Sequence, residues 1–292
     1  MRVSRYATVL AVATSDSGGC AGLQADTKTA QALGCFSCVA QTGLSAQNTQ
    51  GVQGVLPVSP EFVRAQMKSV LSDFQVDATK VGLVPNADIC KAVAEGCREF
   101  FLSNLVVDPV LVASSKDALA TTDVPVALQR WLFPLATLIT PNLDEATALL
   151  GGREILSLNH MQKAAFDLLD FGSEAVLLKG GHLPLDTPEG KKVVDFLVLR
   201  DGSLVQLHND YIETHNTHGT GCTLSSAIAA FLAHGKPLPV AVREAGNYVH
   251  KALLAGKDIQ TGKGHGPLNH AFAPLPLRPL QEDAHGKTTH MV

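Results

Sequence analysis

The chain has 292 residues with a formal net charge of -4, and 46% of its residues are hydrophobic whereas 17% are charged. This composition supplies a core for one α/β domain or two small ones, and it excludes a disordered chain. The charge balance does not predict the basic surface of a nucleic-acid-binding protein, and no apolar run approaches the length of a membrane span. We therefore expect a globular protein without nucleic-acid or membrane partners.

The cysteines and the first residues indicate a cytoplasmic protein. Six cysteines in a chain of this length do not form the disulfide framework of a small secreted protein. Cys35 and Cys38 form a C-x-x-C pair without the second pair of a zinc site, so we interpret them as small core residues. The apolar run at 7–13 resembles a short secretory signal, but it leads into a polar loop and is interpreted as a first strand.

Apolar runs alternate with helical patterns through the first half of the chain. Residues 6–13 predict a buried strand that opens into a glycine-rich turn at 14–22. This turn matches neither the G-x-G-x-x-G fingerprint nor the lysine-containing P-loop, so it predicts neither of those nucleotide sites. Residues 43–51 are interpreted as a polar loop. The other elements predicted in this half are helices at 23–33, 59–74 and 87–101 and strands at 36–42, 79–84 and 105–112.

The alternation continues in the second half and defines the fold class. Asp201-Gly202 is a strong hairpin signal, and residues 192–207 around it predict an antiparallel edge. Buried strands alternating with helices predict one α/β domain over residues 1–270, with a mostly parallel sheet. Residues 271–292 carry proline and charge without periodicity and are interpreted as a C-terminal tail. The remaining predicted elements are helices at 124–133, 161–171 and 240–254 and strands at 136–140 and 175–178.

A polar stretch at 214–222 leads directly into a helix that is predicted to begin near Gly219. Gly219 and Gly221 leave the first helical turn free of obstructing side chains, so its unpaired N–H groups form an anion site. Cys222 lies in the same turn, where we expect the pKa of its thiol to be lowered. The alternative is an ordinary helix that starts at a glycine and buries a cysteine.

Polar and charged residues also follow the predicted strands. Asp108 and Lys179 each stand where a buried strand should end. Asn142 and Glu145, three residues apart at a helix start, share one face and suit a hydrated Mg²⁺. A capping role explains Asn142 equally well, and Lys179 has the alternative of an ordinary surface lysine.

These groups should meet, because the carboxyl ends of parallel strands lie at one edge of a sheet. A helix dipole, a cation site and a lysine around one anion are suited to phosphoryl transfer, which needs positioning and charge stabilisation more than covalent help. Since the P-loop lysine motif is missing, the nucleotide phosphates would be held in another way.

Seven motifs occur in one order between residues 7 and 270. They are Gly22-Leu-Gln-Ala-Asp26, residues 39–49 with Gln47-Asn48, Val107-Asp-Pro-Val110, Thr140-Pro-Asn-Leu-Asp-Glu145, Leu178-Lys-Gly-Gly-His182, Asn216-Thr-His-Gly-Thr-Gly-Cys-Thr223 and Gly264-His-Gly-Pro-Leu-Asn-His270. In these motifs the chain resembles the ribokinase-like superfamily, and more closely the hydroxymethylpyrimidine/phosphomethylpyrimidine kinases of thiamine biosynthesis. The resemblance implies a single-domain, three-layer α/β/α fold with a mostly parallel central sheet and a small antiparallel edge.

The activity that this resemblance implies is two successive ATP-dependent phosphorylations. The first acts on the hydroxymethyl group of 4-amino-5-hydroxymethyl-2-methylpyrimidine, and the second converts the monophosphate to the diphosphate. The resemblance implies ATP and Mg²⁺ as cofactors. The superfamily often also uses a monovalent cation such as K⁺, and we expect a homodimer.

The resemblance also implies roles for individual residues. Cys222 takes the place of the aspartate base of most of the superfamily, and its thiolate would accept or orient the hydroxymethyl proton. The N–H groups of Gly219, Thr220 and Gly221 would stabilise the transferring phosphoryl group. The other implied sites are the pyrimidine site (Ala21, Asp26, Gln47 and Val110), the nucleotide site (Lys179, Thr217 and His218) and the magnesium site (Asp108, Asn142 and Glu145).

The chain departs from the family pattern at two places. Thr14 and Cys20 stand where the family usually has glycine. Their side chains argue against a close approach of this backbone to the substrate ring. Ser114-Ser115-Lys116 stands where a Lys-Ser-Gly flap is usual. The missing glycine argues against the usual flexibility of that flap.

Three other functions are weighed against this one. A pyridoxal or pyridoxine kinase of the same superfamily also acts on a hydroxymethyl group, but Gln47 suits the amino group and ring nitrogen of a pyrimidine. A cysteine hydrolase could use Cys222 with His218, but no third orienting group is evident. A catalytically silent ligand-binding protein is disfavoured by the complete set of charged residues.

Overall fold

The structure is a computed structural model that describes residues 4–112, 119–181, 183, 185–188, 190–282 and 288–289. The strands in these residues are β1 (Ser4–Tyr6), β2 (Thr8–Asp16), β3 (Phe36–Asn48), β4 (Gly51–Pro57), β5 (Ala78–Val81), β6 (Leu105–Val107), β7 (Leu138–Ile139), β8 (Ala175–Leu178), β9 (Leu185–Thr187), β10 (Gly190–Leu199), β11 (Leu204–Asp210), β12 (Pro279–Glu282) and β13 (Thr288–Thr289).

The helices lie between these strands, as the alternating sequence pattern predicts. The segment after α4 continues as a π-helical turn and a 3₁₀ turn through Leu135. The α-helices are α1 (Gly22–Ala32), α2 (Pro60–Leu71), α3 (Ala87–Glu99), α4 (Val124–Ala127), α5 (Leu143–Leu149), α6 (Leu158–Leu169), α7 (Thr220–Ala233) and α8 (Leu238–Gly256).

The described residues form a central sheet with the order β11-β10-β8-β7-β6-β5-β2-β3-β4, and β9 pairs with β10. The six strands from β8 to β3 are parallel to one another. At the outer edges, β10, β11 and β4 run antiparallel to their neighbours. This arrangement confirms the predicted mostly parallel sheet, and the Asp201-Gly202 hairpin is also confirmed, with Gly202 at a φ of 89°.

The sheet is covered by helices on both faces, because side chains of a strand alternate between its two sides. In β6, Leu105 and Val107 pack in the hydrophobic cluster that contains residues of α2, α3 and α6. Val106 between them packs in the other cluster, with residues of α1, α7 and α8. The fold is therefore the expected three-layer α/β/α arrangement. None of the helices in the described part of the chain has the length and apolarity of a membrane span.

The segment predicted as a polar loop at 43–51 is instead part of a β-hairpin. β3 continues to Asn48 and pairs antiparallel with β4, with a register shift between Ala46 and Gln47. The loop prediction is wrong because backbone pairing and polar contacts with the turn after β2 hold these residues extended. The N–H of Gln47, for example, donates a hydrogen bond of 2.9 Å to Ser17 Oγ.

Part of the segment predicted as a tail is also ordered. β12 pairs antiparallel with β1, and Leu280 is only 3% exposed within the cluster that contains α7 and α8. The tail prediction is wrong for this strand, because backbone pairing and one buried leucine suffice where periodicity is weak. The boundary at residue 270 stays a prediction for the rest of the segment. The flap at Ser114-Ser115-Lys116 lies outside the described residues.

Candidate active site

The first turn of α7 approaches the turn that follows β2. Gly219 is the N-cap residue with a φ of 85°, a left-handed conformation that favours glycine. A Cβ at this position would lie 2.0 Å from the Cys20 carbonyl oxygen and 3.3 Å from the Ala21 Cα. Only glycine therefore permits this approach, which brings Ala21, predicted to bind substrate, beside the helix start.

The backbone of this turn limits which groups can bind an anion. The N–H group and hydroxyl of Thr220 both donate to the Thr217 carbonyl, at 3.2 and 2.6 Å. The anion prediction therefore rests mainly on the N–H groups of Gly221 and Cys222, which lie at the positive end of the helix dipole. Thr217 itself is exposed, and its nucleotide role stays a prediction.

Lys179 and Asp108 lie directly beside this helix start. A Cβ on Gly221 would be 3.2 Å from Lys179 Nζ and 3.6 Å from Asp108 Oδ2. Lys179 Nζ is 3.0 Å from Asp108 Oδ1 and 4.0 Å from Glu145 Oε2. The predicted meeting of these groups at one edge of the sheet is thus observed.

Hydrogen bonds and charge keep Asp108 ionised although it is only 1% exposed. Its Oδ1 also accepts from the Thr140 hydroxyl at 3.0 Å, and its Oδ2 accepts from Ser225 at 3.3 Å. Burial alone would raise the pKa of Asp108, but the ammonium groups of Lys179 and Lys80 outweigh it and hold the pKa below the ordinary value. Burial would lower the pKa of Lys179, but Asp108 and Glu145 raise it.

Asn142 and Glu145 form a reciprocal capping box at the start of α5. Asn142 Oδ1 accepts from the Glu145 N–H at 2.8 Å, and Glu145 Oε2 accepts from the Asn142 N–H at 2.7 Å. This favours the capping interpretation of Asn142, whose metal role stays a prediction. Burial, and to a lesser extent the Asp108 carboxylate, raise the pKa of Glu145 to about 7, although Lys179 opposes them.

The carboxylates near Lys179 suit only a magnesium ion that keeps most of its water ligands. No group of three or more histidine, cysteine or acidic side chains suited to a metal occurs among the described residues. Mg²⁺ commonly keeps several waters and takes one or two carboxylates together with substrate phosphates. Asp108 and Glu145, which share Lys179 as a neighbour, could supply those carboxylates.

Asp26, expected to contact the pyrimidine, is covered by other protein groups. Its side chain is 1% exposed, and both carboxylate oxygens accept hydrogen bonds from Lys80 Nζ, at 2.7 and 2.9 Å. Ser226 of α7 donates to Oδ1 at 2.7 Å. A direct contact between this carboxylate and a pyrimidine has no support in this geometry, because protein groups cover and bond both oxygens, and the contact stays a prediction.

Lys80 is the residue of this site that sequence reasoning missed. It is 0% exposed in β5, and although burial would lower its pKa, the Asp26 carboxylate raises the pKa above the ordinary value. A charged lysine is almost never fully buried without a partner, so a lysine inside the apolar run at 78–84 was the available signal. The positive charge of Lys80 acts to lower the pKa of the Cys222 thiol.

The pKa of the Cys222 thiol is raised, which contradicts the expectation of a lowered value. Burial raises it to about 11, and the carboxylates of Asp26 and Asp108 act in the same direction. The Lys80 ammonium and a backbone hydrogen bond from Gly22 lower the pKa but do not outweigh burial. Cys222 therefore carries its proton at neutral pH.

Gln47 contacts His218, the residue directly before the N-cap of α7. Nε2 of Gln47 lies 3.0 Å from Nε2 of His218, which is only 6% exposed. His218 thus contacts the residue expected to bind the pyrimidine, and its predicted contact with the nucleotide has no support in this geometry. Val110, the other expected pyrimidine contact, is partly buried beside Leu83 and Leu119.

Removing the partner of Asp26 should strongly destabilise the protein. Lys80→Met would leave a buried, unpaired carboxylate and should lower the free energy of unfolding by about 3–5 kcal/mol. Lys80→Met combined with Asp26→Leu should recover most of that loss. Urea denaturation measures both variants, with Lys192→Met as a control because the Lys192–Asp210 pair is exposed and worth at most about 1 kcal/mol. A loss of under about 1 kcal/mol for Lys80→Met would contradict this role of the pair.

Alkylation should report the raised pKa of Cys222. Because the thiolate is the reactive form, iodoacetamide labelling should be slow at neutral pH and rise about tenfold per pH unit up to the pKa. The rate should level off near pH 11. Mass spectrometry identifies the labelled residue, and Cys222→Ser removes the site as a control. A fast rate that does not change between about pH 6 and 8 would show a thiolate instead.

Comparison with known proteins places this chain in a family. The sequence model described as phosphomethylpyrimidine kinase matches residues 16–269. A hydroxymethylpyrimidine/phosphomethylpyrimidine kinase of Rhizobium meliloti is 47% identical over 90% of this chain and 97% of that protein. A probable thiamine biosynthetic bifunctional enzyme of Oryza sativa is 44% identical over 90% of this chain, which spans about half of that relative, 47%.

A solved structure shares the fold of this chain. The ADP complex of Bacillus subtilis pyridoxal kinase superimposes with a TM-score of 0.82 at 33% sequence identity, and covers 91% of this chain and 98% of that one. By the family match and by relatives of 44–47% identity, the chain belongs to the phosphomethylpyrimidine kinase family.

Proposed function

We propose that the protein uses ATP to phosphorylate the hydroxymethyl group of 4-amino-5-hydroxymethyl-2-methylpyrimidine and then the resulting monophosphate, in thiamine diphosphate biosynthesis. The observation that carries this proposal is the position of Gly221, which stands over Lys179 and Asp108 at the start of α7. A helix N-terminus, a lysine and a carboxylate at one point suit a phosphoryl group in transit. The Gln47 amide lies 3.0 Å from His218, which precedes this helix start.

The chain's own residues would act mainly by positioning and by charge. The N–H groups of Gly221 and Cys222 would stabilise the charge on the oxygens of the transferred phosphoryl group. Lys179, now paired with Asp108 at 3.0 Å, would exchange that carboxylate for nucleotide phosphates. Asp108 and Glu145 would hold a hydrated Mg²⁺, which supplies charge neutralisation when bound. A monovalent cation such as K⁺ stays a prediction.

Cys222 would orient the substrate hydroxyl rather than remove its proton as a thiolate. Its raised pKa keeps the thiol protonated at neutral pH, so it is not available as a strong base. Phosphoryl transfer through a loose transition state needs little help from a base. The substrate oxygen would bond to the γ-phosphorus, the bond to the leaving ADP oxygen would break, and the hydroxyl proton would pass to an oxygen of the transferred group.

A pyridoxal kinase is the second candidate, because the solved structure with a TM-score of 0.82 carries that name. Gln47 argues for the pyrimidine, since an amide offers both a donor and an acceptor to an amino group and a ring nitrogen. A cysteine hydrolase loses support, because the ring of His218 is directed to Gln47 and the thiol of Cys222 holds its proton.

Homodimerisation and a cytoplasmic location belong to the same proposal. The hairpin and the start of α2 expose Leu44, Leu56 and Phe62 at 44%, 65% and 61%, an apolar surface that suits a second copy of the chain. Light scattering that gives the mass of one 30.8 kDa chain would contradict a dimer. All six cysteines are free thiols, as expected in the cytoplasm, and recovery from a secreted fraction would contradict that location.

An ADP-release assay with three substrates in parallel tests the activity. We expect turnover of the hydroxymethylpyrimidine and of its monophosphate, with pyridoxal weaker. Cys222→Ala should lower kcat by about tenfold, because it removes one hydrogen bond of about 1 kcal/mol that orients the substrate hydroxyl. Cys222→Ser, which keeps a hydrogen-bonding group, should lose less. Turnover of pyridoxal alone would overturn the pyrimidine assignment, and an unchanged kcat in Cys222→Ala would remove Cys222 from the reaction.

A further inference from the structure

The glycine-rich turn that follows β2, residues 16–21, is folded around the side chain of Asp16. Asp16 Oδ1 accepts a hydrogen bond of 2.8 Å from the Gly18 N–H. Its Oδ2 accepts from the N–H groups of Cys20 and Ala21, at 2.9 and 2.8 Å. Asp16 is only 3% exposed. Converging N–H groups of this kind commonly bind a ligand anion, but here a carboxylate of the chain itself occupies them.

The main chain of Asp16 is fixed as well. Its N–H donates to Gln24 Oε1 of α1 at 2.7 Å, and its carbonyl accepts from the Gly19 N–H at 3.0 Å. Gly19 has a φ of 72°, a left-handed conformation that favours glycine. Every polar group of Asp16 therefore has a partner in the turn or in α1, which holds the carboxylate in one position.

The glycine-rich turn contacts the hairpin that carries Gln47. Ser17 Oγ accepts from the Gln47 N–H at 2.9 Å and donates to the Gln47 carbonyl at 2.8 Å. A Cβ on Gly18 would lie 3.0 Å from that same carbonyl oxygen. The turn therefore sets the position of Gln47, and it contains Ala21, the other residue expected to contact the pyrimidine from this side.

The same turn contacts the start of α7 through a single peptide group. The N–H of Ala21 and the carbonyl of Cys20 belong to one planar peptide unit. Asp16 Oδ2 holds the N–H side of this unit, and Gly219 packs against its carbonyl side, where a Cβ would be 2.0 Å from the oxygen. A movement of the Asp16 carboxylate would thus be passed directly to the N-cap of α7.

We propose that Asp16 is a positioning residue for phosphoryl transfer, whose carboxylate holds the glycine-rich turn so that the turn aligns the pyrimidine with the start of α7. This inference rests on the proposed function and adds a residue that acts through others. Misplacement by about 1 Å can cost about 100-fold in rate, because the attacking oxygen and the phosphorus must be aligned. Lys179 and Asp108 are held by each other and by Thr140, outside this turn, so nucleotide binding should not depend on Asp16.

Steady-state kinetics of two Asp16 variants test the proposal. Asp16→Ala removes the acceptor of three N–H groups, so kcat/KM for the pyrimidine should fall by about 100-fold. KM for ATP should stay within about twofold of wild type, because the loss concerns alignment and not nucleotide binding. Asparagine has one acceptor oxygen, and its NH₂ group must face at least one N–H donor, so Asp16→Asn should lose less, about tenfold.

Asp77→Ala is the matched control for a general loss of stability. Asp77 Oδ2 also accepts from a backbone N–H, that of Thr8 at 2.8 Å, and pairs with Arg5 at 2.7 Å. Thr8 begins β2, so this aspartate lies at the other end of the strand that leads to Asp16. Asp77→Ala should lower the midpoint of thermal denaturation but leave kcat and both KM values unchanged. A fall in kcat/KM for the pyrimidine equal to that of Asp16→Ala would overturn the proposal.

Ser17→Ala tests the same alignment without a change at Asp16. It removes both hydrogen bonds to the Gln47 backbone and should raise KM for the pyrimidine by about tenfold, with KM for ATP unchanged. It decides the matter if neither Asp16 variant folds, which thermal denaturation would show. An unchanged KM and kcat for the pyrimidine in these variants, or an equal rise of KM for ATP, would overturn the role of Asp16. Failure of wild type to phosphorylate the aminopyrimidine at all would instead overturn the proposed function, and this inference with it.

Discussion

Two buried lysine–carboxylate pairs lie beneath the first turns of α7, and the geometry of the site depends on them. Lys80 pairs with Asp26 at 2.7 Å, and Lys179 pairs with Asp108 at 3.0 Å. Ser226 of α7 donates to Asp26 at 2.7 Å, so the Lys80–Asp26 pair also holds the helix. Removing one partner of a buried ion pair leaves the charge of the other partner uncompensated. A substitution of either residue alone is therefore expected to destabilise the fold.

The two pairs differ in what they can do. Both charges of the Lys80–Asp26 pair are fully covered, and it supplies a fixed positive charge below Cys222. Lys179 has 13% of its side chain exposed and lies beside Gly221, so it can change partners when an anion arrives. The inner pair therefore fixes the position of the helix start, and the outer pair is available for phosphates.

Much of this site could be predicted from the sequence, because glycine positions and strand ends follow local rules. Asp108, Lys179 and the start of α7 meet as the parallel sheet requires. The contacts that sequence reasoning missed are long-range: the Asp26–Lys80 bond joins residues 54 apart, and the Gln47–His218 contact joins residues 171 apart. The pKa of Cys222 was misjudged because a helix N-terminus is visible in a sequence, whereas the depth of burial that outweighs it is not.

The central claim is that the start of α7 holds the phosphoryl group in transit. A crystal structure with a non-hydrolysable ATP analogue and the hydroxymethylpyrimidine tests it most directly. The account predicts hydrogen bonds from the N–H groups of Gly221 and Cys222 to the terminal phosphate, with Lys179 moved from Asp108 to the nucleotide. A terminal phosphate bound elsewhere, with the 3.0 Å contact between Lys179 and Asp108 intact, would contradict the account.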